Sequence, residues 1–380
     1  MYNILFALNG IMSNGGTESV VMNIFNHIDK TQFHIDFLIH GTDTRSNSTH
    51  DNLEKAGASI FYVTPRYISY RQNVADISGV LSKKRFDIVH SHMDASGYFV
   101  LHFAKKMGIT TRIAHSHNTA SQFPSSRTAI YNLPHRLLLE YAKYGLRRES
   151  THFIACSKAA GLWLFGENIC NSANYLLYKN GIDLEKYLYN DDIRKNVRED
   201  LGVKNNFVIG HVGRFAKQKN HTFLIDMFKE LYKLHPASKL LLVGEGELLP
   251  QIKERVRNYN LPSEAVIFAG ARDDVNRLYQ AMDIMLLPSL FEGLPVVMVE
   301  AQASGLKVIA SDRVTHEAKL INETEFLPLN KGLQTWVNSI LQCTKGYARR
   351  NTRNEIVNAG YSVSDNIKVL ERFYKKAIRQ

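Results

Sequence analysis

SLFEGLPVVMVEAQASGLKVIAS, residues 289–311, decides how this chain is read. An apolar run lies on either side of its centre, AMDIMLLP at 281–288 and LKVIA at 306–310, and each predicts a buried strand. Between them Pro295 suits the first turn of a helix, where a missing N–H costs nothing. Gly305 suits the residue just past the helix end. The product is strand, loop, short helix, strand, which is one βαβ unit. Glu292 then lies at the carboxyl end of a parallel strand, where open α/β sheets bind ligands. Glu300 lies inside the helix that follows. Free N–H groups at a helix start can take an anion while carboxylates take hydroxyls, a pairing that suits a phosphorylated sugar.

Outward from this unit the same alternation continues. FVIGHVG at 207–213 predicts a strand, RFAKQKN at 214–220 a loop, and 222–234 a helix. Strands at 239–244 and 266–270 and helices at 248–259 and 275–281 lead back to the opening stretch. Arg214 and Lys219 follow the first of these strands on a loop that feeds a helix, so cations and free N–H groups can converge on one anion. A solvated basic loop is the plainer reading, since Lys217 sits there too. The position at a strand's carboxyl end favours the anion.

The first half repeats the architecture without repeating a motif. Strands are predicted at 2–8, 33–39, 86–92, 111–117, 153–156 and 175–178, with helices between them. The loop NGIMSNGG at 9–16 ends in Gly15–Gly16 before a helix at 17–27, which would let a ligand approach the backbone closely. It lacks the GxGxxG spacing of a dinucleotide site. His90/His92 and His115/His117 form two His-x-His pairs, and alternate residues of a strand share a face. Zinc, acid–base chemistry and ordinary hydrogen bonding all remain open for them; Asp94 is the only adjacent carboxylate. Residues 131–148 mix Leu137, Leu138, Leu139 and Tyr141 with Arg136, Lys143, Arg147 and Arg148. Such a basic amphipathic helix can lie on an anionic bilayer or simply present a solvated face.

At 380 residues the chain is too long for one ordinary core. The expected division is 1–185 joined by a C-terminal helix 364–380, a polar linker 186–206, and a second domain 207–363. A formal charge of +11 favours anionic partners: phosphorylated substrates, an anionic membrane face or nucleic acid. The basic residues are scattered rather than striped, which argues against nucleic acid. No apolar run approaches the ~20 residues that span a bilayer. MYNILFALNG has no basic region and runs straight into a strand, so a signal peptide is not expected. Three cysteines show no metal or disulfide spacing. A diphosphate held by metal usually needs acidic ligands on a loop. The chain has no Asp-x-Asp, which points to neutralisation by Arg, Lys and helix dipoles instead.

Taken in order, GGTE at 15–18, RIAHSHN at 112–118, IACSKAAG at 154–161, KNGID at 179–183, VGRFAKQKN at 212–220, LLLVGEGEL at 240–248 and FEGLPVVMVEAQASG at 291–305 resemble the retaining glycosyltransferases of family 4. The resemblance covers nearly the whole chain, and its most specific part is the spacing of Glu292 and Glu300. It is greatest to members that build bacterial exopolysaccharide or capsule. It implies an α/β GT-B fold, with two Rossmann-like parallel-sheet domains facing across a cleft and a last helix crossing back to the first. It implies that Gly16, Arg214, Lys219, Gly293 and Leu294 hold the donor diphosphate and that Glu300 holds the ribose. Glu292 then faces the donor sugar and His117 its anomeric carbon, although His115 lies two residues away. The implied donor is a nucleotide sugar, a UDP-sugar, used without metal; the acceptor is a saccharide or lipid-linked saccharide. The implied location is the cytoplasm, with peripheral contact at the inner membrane face. Residues 305–308, GLKV, depart from the family's G-x-P-V. Two other readings stand beside this one: a sugar-nucleotide epimerase or hydrolase of GT-B shape, and a zinc hydrolase using the His-x-His pairs.

Overall fold

The computed structural model describes residues 1–10, 16–41, 48–118, 133–292 and 294–379. The chain divides into two units, 1–181 with 363–380, and 182–362. The first holds seven strands: β1 (Tyr2–Leu8), β2 (Phe33–His40), β3 (Ile60–Val63), β4 (Ile88–Ser91), β5 (Thr111–Ser116), β6 (His152–Ala155) and β7 (Tyr175–Leu177). The second holds six: β8 (Phe207–Val212), β9 (Ser238–Val243), β10 (Val266–Gly270), β11 (Ile284–Leu287), β12 (Lys307–Ser311) and β13 (Thr324–Leu327). The sheet orders are β3-β2-β1-β4-β5-β6-β7 and β10-β9-β8-β11-β12-β13, and every pairing is parallel. Each order reverses once, between β1 and β4 and between β8 and β11. Ligands of open α/β sheets bind outside the carboxyl ends of the strands at such a reversal.

Parallel strands covered on both faces read as continuous apolar runs. In the first unit Ile4, Phe6, Ile88, Ile113 and Ile154 share one face with Val21 and Ile24 of the helix Gly16–His27 and with Ile367, Leu370 and Tyr374 of the helix Val363–Arg379. The alternate residues Leu5, Ala7, Val89, Ala114 and Ala155 pack on the other face with Ile77, Val100 and Leu146.

Two strands were not expected, β3 (IFYV) and β13 (TEFL). Both are four-residue edge strands with polar flanks, too short to show a period. The linker expected at 186–206 is corrected more sharply, because all of it lies in the second unit. Its helix Asp191–Asp200 looks solvated because it is charged, yet Val197 is buried in the core. Arg194 donates to Gln280 O at 2.9 Å and Met282 O at 2.8 Å, and its guanidinium pairs with Asp283 at 2.5 Å. Arg198 is buried, donating to Ala281 O at 2.7 Å and pairing with Asp283 at 3.2 Å. The charges staple the helix to the strand entry rather than leaving it as a spacer.

The opening stretch folds as a βαβ unit, with Pro295 as the N-cap of the helix Val296–Ala303. Gly305 has φ +66, and a Cβ there would meet Arg350 O at 2.6 Å, so both conformation and space call for glycine. Cys156 and Cys343 are buried and all three cysteines are free.

Candidate active site

The loops after β8 and β11 flank the reversal of the second sheet, and a set of hydrogen bonds laces them together. Asn220, in the left-handed conformation before the helix His221–Leu234, donates its amide to Pro288 O at 3.1 Å. The Leu290 N–H donates to Gln218 O at 2.8 Å, and the Gln218 amide donates to Phe291 O at 3.0 Å. The same amide reaches Glu292 Oε2 at 3.1 Å, while Lys219 Nζ donates to Glu292 Oε1 at 2.7 Å. Lys219 and Glu292 are 15% and 8% exposed. Gly213 leaves room for the Lys219 stem, since a Cβ there would stand 3.0 Å from it. Arg214 is exposed on the same loop and has no ion pair among the described residues. Leu294 is half-buried, and Gly293 lies outside the described residues.

Glu300 occupies a second position in this unit, on the helix after β11. Tyr279 Oη donates to its Oε2 at 2.9 Å and Tyr187 Oη to its Oε1 at 3.1 Å. Burial raises the Glu300 carboxyl above its ordinary range, and the two hydroxyls oppose that rise. Both tyrosines fix the carboxylate's rotamer and leave it lone pairs for further donors. Neither was legible in the sequence. Tyr279 reads as a core aromatic of the helix Val275–Ala281, and Tyr187 sits in the stretch taken for a linker. Gln218 was missed too, although it adjoins Lys219.

In the first unit Gly16 begins the helix Gly16–His27. The four histidines of β4 and β5 and their C-terminal extensions share one face, as the two-residue period requires. His90 Nε2 lies 3.2 Å from His115 Nδ1, and His92 Nδ1 lies 3.1 Å from His117 Nε2. His115 and His117 stack with centroids 4.0 Å apart. The His117 N–H donates to Asp94 Oδ1 at 2.8 Å, and Asn118 donates to Oδ2 at 2.7 Å. Burial pushes the His117 imidazole down to about 3, so the ring is neutral at physiological pH. Burial and the neighbouring imidazoles hold His90, His92 and His115 well below the usual histidine range.

Chemically, the second unit offers an ammonium and a guanidinium beside a helix start, with one carboxylate in contact with the ammonium and another held by tyrosines. The first offers neutral imidazoles beside the half-buried Asp94 carboxylate. No helix among the described residues is long and apolar enough to cross a membrane.

Residues 193–363 match the family described as glycosyl transferases group 1, and residues 14–186 match glycosyltransferase family 4. EpsF of Bacillus subtilis (strain 168), assigned as a glycosyltransferase, is 32% identical over 379 residues, covering 98% of this chain and 96% of its own. The UDP-Gal:α-D-GlcNAc-diphosphoundecaprenol α-1,3-galactosyltransferase of Escherichia coli is 24% identical, covering 94% and 93%. Among solved structures, Anabaena HepE in complex with UDP superposes with a TM-score of 0.76 at 19% identity, over 98% of this chain and 100% of that one. The fold is of the two-sheet α/β GT-B type. These matches do not favour the epimerase or the zinc hydrolase.

Proposed function

The chain belongs to the glycosyltransferases of group 1 and family 4, and from that premise we propose that it moves a hexose or N-acetylhexosamine from a UDP-sugar to a lipid-linked saccharide during synthesis of a bacterial cell-surface polysaccharide. The observation that carries this reading is the Lys219–Glu292–Gln218 cluster at the carboxyl ends of β8 and β11. Departure of a nucleoside diphosphate develops negative charge, which Lys219, Arg214 and the start of the helix His221–Leu234 can stabilise without a metal. Gly16, Gly293 and Leu294 are assigned to the same diphosphate, Glu292 to the sugar hydroxyls, Glu300 to the ribose and His117 to the anomeric carbon. Transfer proceeds with retention, as the resemblance implies. The Escherichia coli relative, which acts on a diphosphoundecaprenol-linked sugar, supports the lipid-linked acceptor.

A cytoplasmic location with peripheral contact at an anionic bilayer has its own support. Tyr67, Ile68, Leu137, Leu138 and Tyr141 are exposed, Tyr67 at 89%, and Arg136 and Arg148 are exposed on the same helix as the leucines. Aromatic contacts run from Tyr70 through Phe99 and Tyr98 to Tyr141, joining the two exposed segments. Aromatic and aliphatic side chains rimmed by arginine suit a headgroup boundary.

Lys219→Ala and Glu292→Ala are each expected to abolish sugar transfer while the protein stays folded; full activity in either overturns the assignment. A rate lost in EDTA and restored by Mg²⁺ or Mn²⁺ overturns metal-free transfer. A thermal-shift screen of nucleotide sugars identifies the donor, because a ligand of the folded state raises its stability.

A further inference from the structure

Three buried histidines of the first unit, His90, His92 and His115, and the half-buried His117 carry two ring nitrogens each. His90 uses both, with Nδ1 2.7 Å from the Tyr374 hydroxyl and Nε2 facing His115 Nδ1, and His92 Nδ1 faces His117 Nε2. His92 Nε2, His115 Nε2 and His117 Nδ1 are buried with no partner among the described residues. Each neutral imidazole has one N–H and one lone pair. The His92–His117 bond consumes one of each, so whichever tautomers form, its two outer nitrogens are one bare N–H and one bare lone pair. Buried polar groups are rarely left this way. Three ring nitrogens of the cluster thus lack a protein partner among the described residues.

We propose that His90, His92 and His115 form a binding site for a divalent d-block cation with tetrahedral preference, zinc by ligand type. One ring nitrogen from each lies within 4.8 Å of those from the other two. His90 Nε2 and His115 Nδ1 are 3.2 Å apart. Two nitrogens bound to tetrahedral zinc at about 2.0–2.1 Å stand about 3.3 Å apart, so this pair needs almost no movement to take an ion between them. The strand register makes the triangle. His90 pairs with Ile113 and Ser91 with Ala114, and continuing by one residue sets His92 beside His115. Each ring retains its proton on the nitrogen facing away from the ion. For His90 that proton points at Tyr374, an outer partner of the kind that fixes a ligand's tautomer and orientation.

Zinc here replaces the His90–His115 hydrogen bond with two metal–nitrogen bonds. It ties β4 to β5 and, through Tyr374, to the helix Val363–Arg379. The site belongs to the first unit alone, and the ion takes no part in neutralising the diphosphate, which is assigned to Arg214 and Lys219. The ligands adjoin His117, which is assigned to the anomeric carbon, so the test reads metal content rather than sugar transfer.

The test uses the full chain without a polyhistidine tag, purified from zinc-supplemented cells. About one zinc per chain is expected by elemental analysis, and cobalt exchanged into stripped protein is expected to show the visible bands of a tetrahedral site. His92→Asn is expected to lose both. Tyr374→Phe, which keeps the ring's packing, is expected to weaken cobalt binding about 10–100-fold. Zinc far below one per chain without cobalt bands overturns the site, as does zinc content unchanged in His92→Asn or cobalt affinity unchanged in Tyr374→Phe.

Discussion

Replacing Glu292 by glutamine is expected to strengthen binding of UDP while it weakens sugar transfer. Without donor, Lys219 is held by Glu292 at 2.7 Å, so an arriving diphosphate must compete with a carboxylate for the same ammonium. Two unit charges at that separation attract by about 6 kcal/mol at an effective dielectric of about 20. Desolvation cancels most of this. With side chains 15% and 8% exposed, the pair lies between two limits. Surface pairs are worth about 0.2–1 kcal/mol, and rupture of a buried pair costs about 3–5 kcal/mol. A net hold of about 1–2 kcal/mol released to the diphosphate tightens UDP about five- to thirtyfold. Glutamine keeps the side chain's shape and an acceptor for the Gln218 amide, so the loop geometry should persist. Calorimetric titration of UDP into both proteins, beside a coupled transfer assay, measures the two effects. UDP affinity unchanged or weakened in Glu292→Gln, with the loop intact, would refute the competition. Lys219→Met is the converse control and should weaken UDP about tenfold or more, since a hydrogen bond to a charged group contributes about 1.5–3 kcal/mol.

Tyr279→Phe removes one of the two hydroxyls that favour the Glu300 carboxylate, so the carboxyl, already raised by burial, should rise further. If Glu300 accepts ribose hydroxyls as its ionised form, donor KM should climb as pH falls, and the climb should begin at higher pH in Tyr279→Phe. Matched pH profiles of KM would show it, and superimposable profiles would contradict it. Arg198→Ala removes donors to Ala281 O and Asp283 from the helix Asp191–Asp200, and should destabilise the second unit by about 2–4 kcal/mol. A denaturation midpoint equal to that of the parent would mean the helix is a spacer after all.

Much of this was legible before any coordinates. β1 is an unbroken apolar run whose ends coincide with the reading at 2–8, because a strand buried on both faces leaves no doubt of period. The shared face of the four histidines followed from spacing by two. The reversal points could be reached because Glu292 and Lys219 each follow a strong strand. What was lost depends on contacts distant in sequence. Tyr279 and Tyr187 meet Glu300 from 21 and 113 residues away, and nothing local distinguishes them from core aromatics. Arg194 and Arg198 read as solvent-facing charge because composition does not say whether a guanidinium is capped by carbonyls. β3 and β13 are edge strands, whose partners rather than whose residues define them.

The terminal helix Val363–Arg379 sets an order on the making of the protein. Residues 182–362 are contiguous and can fold as soon as they are complete, whereas the first sheet lacks Ile367, Leu370 and Tyr374 until residues 363–379 have been made. At about 5–20 residues per second the ribosome needs roughly 10–40 s to travel from the end of the first segment to that helix. For that interval the face bearing Ile4, Ile88 and His90 stands partly open to water, and to chaperones. The unit begun first is finished last.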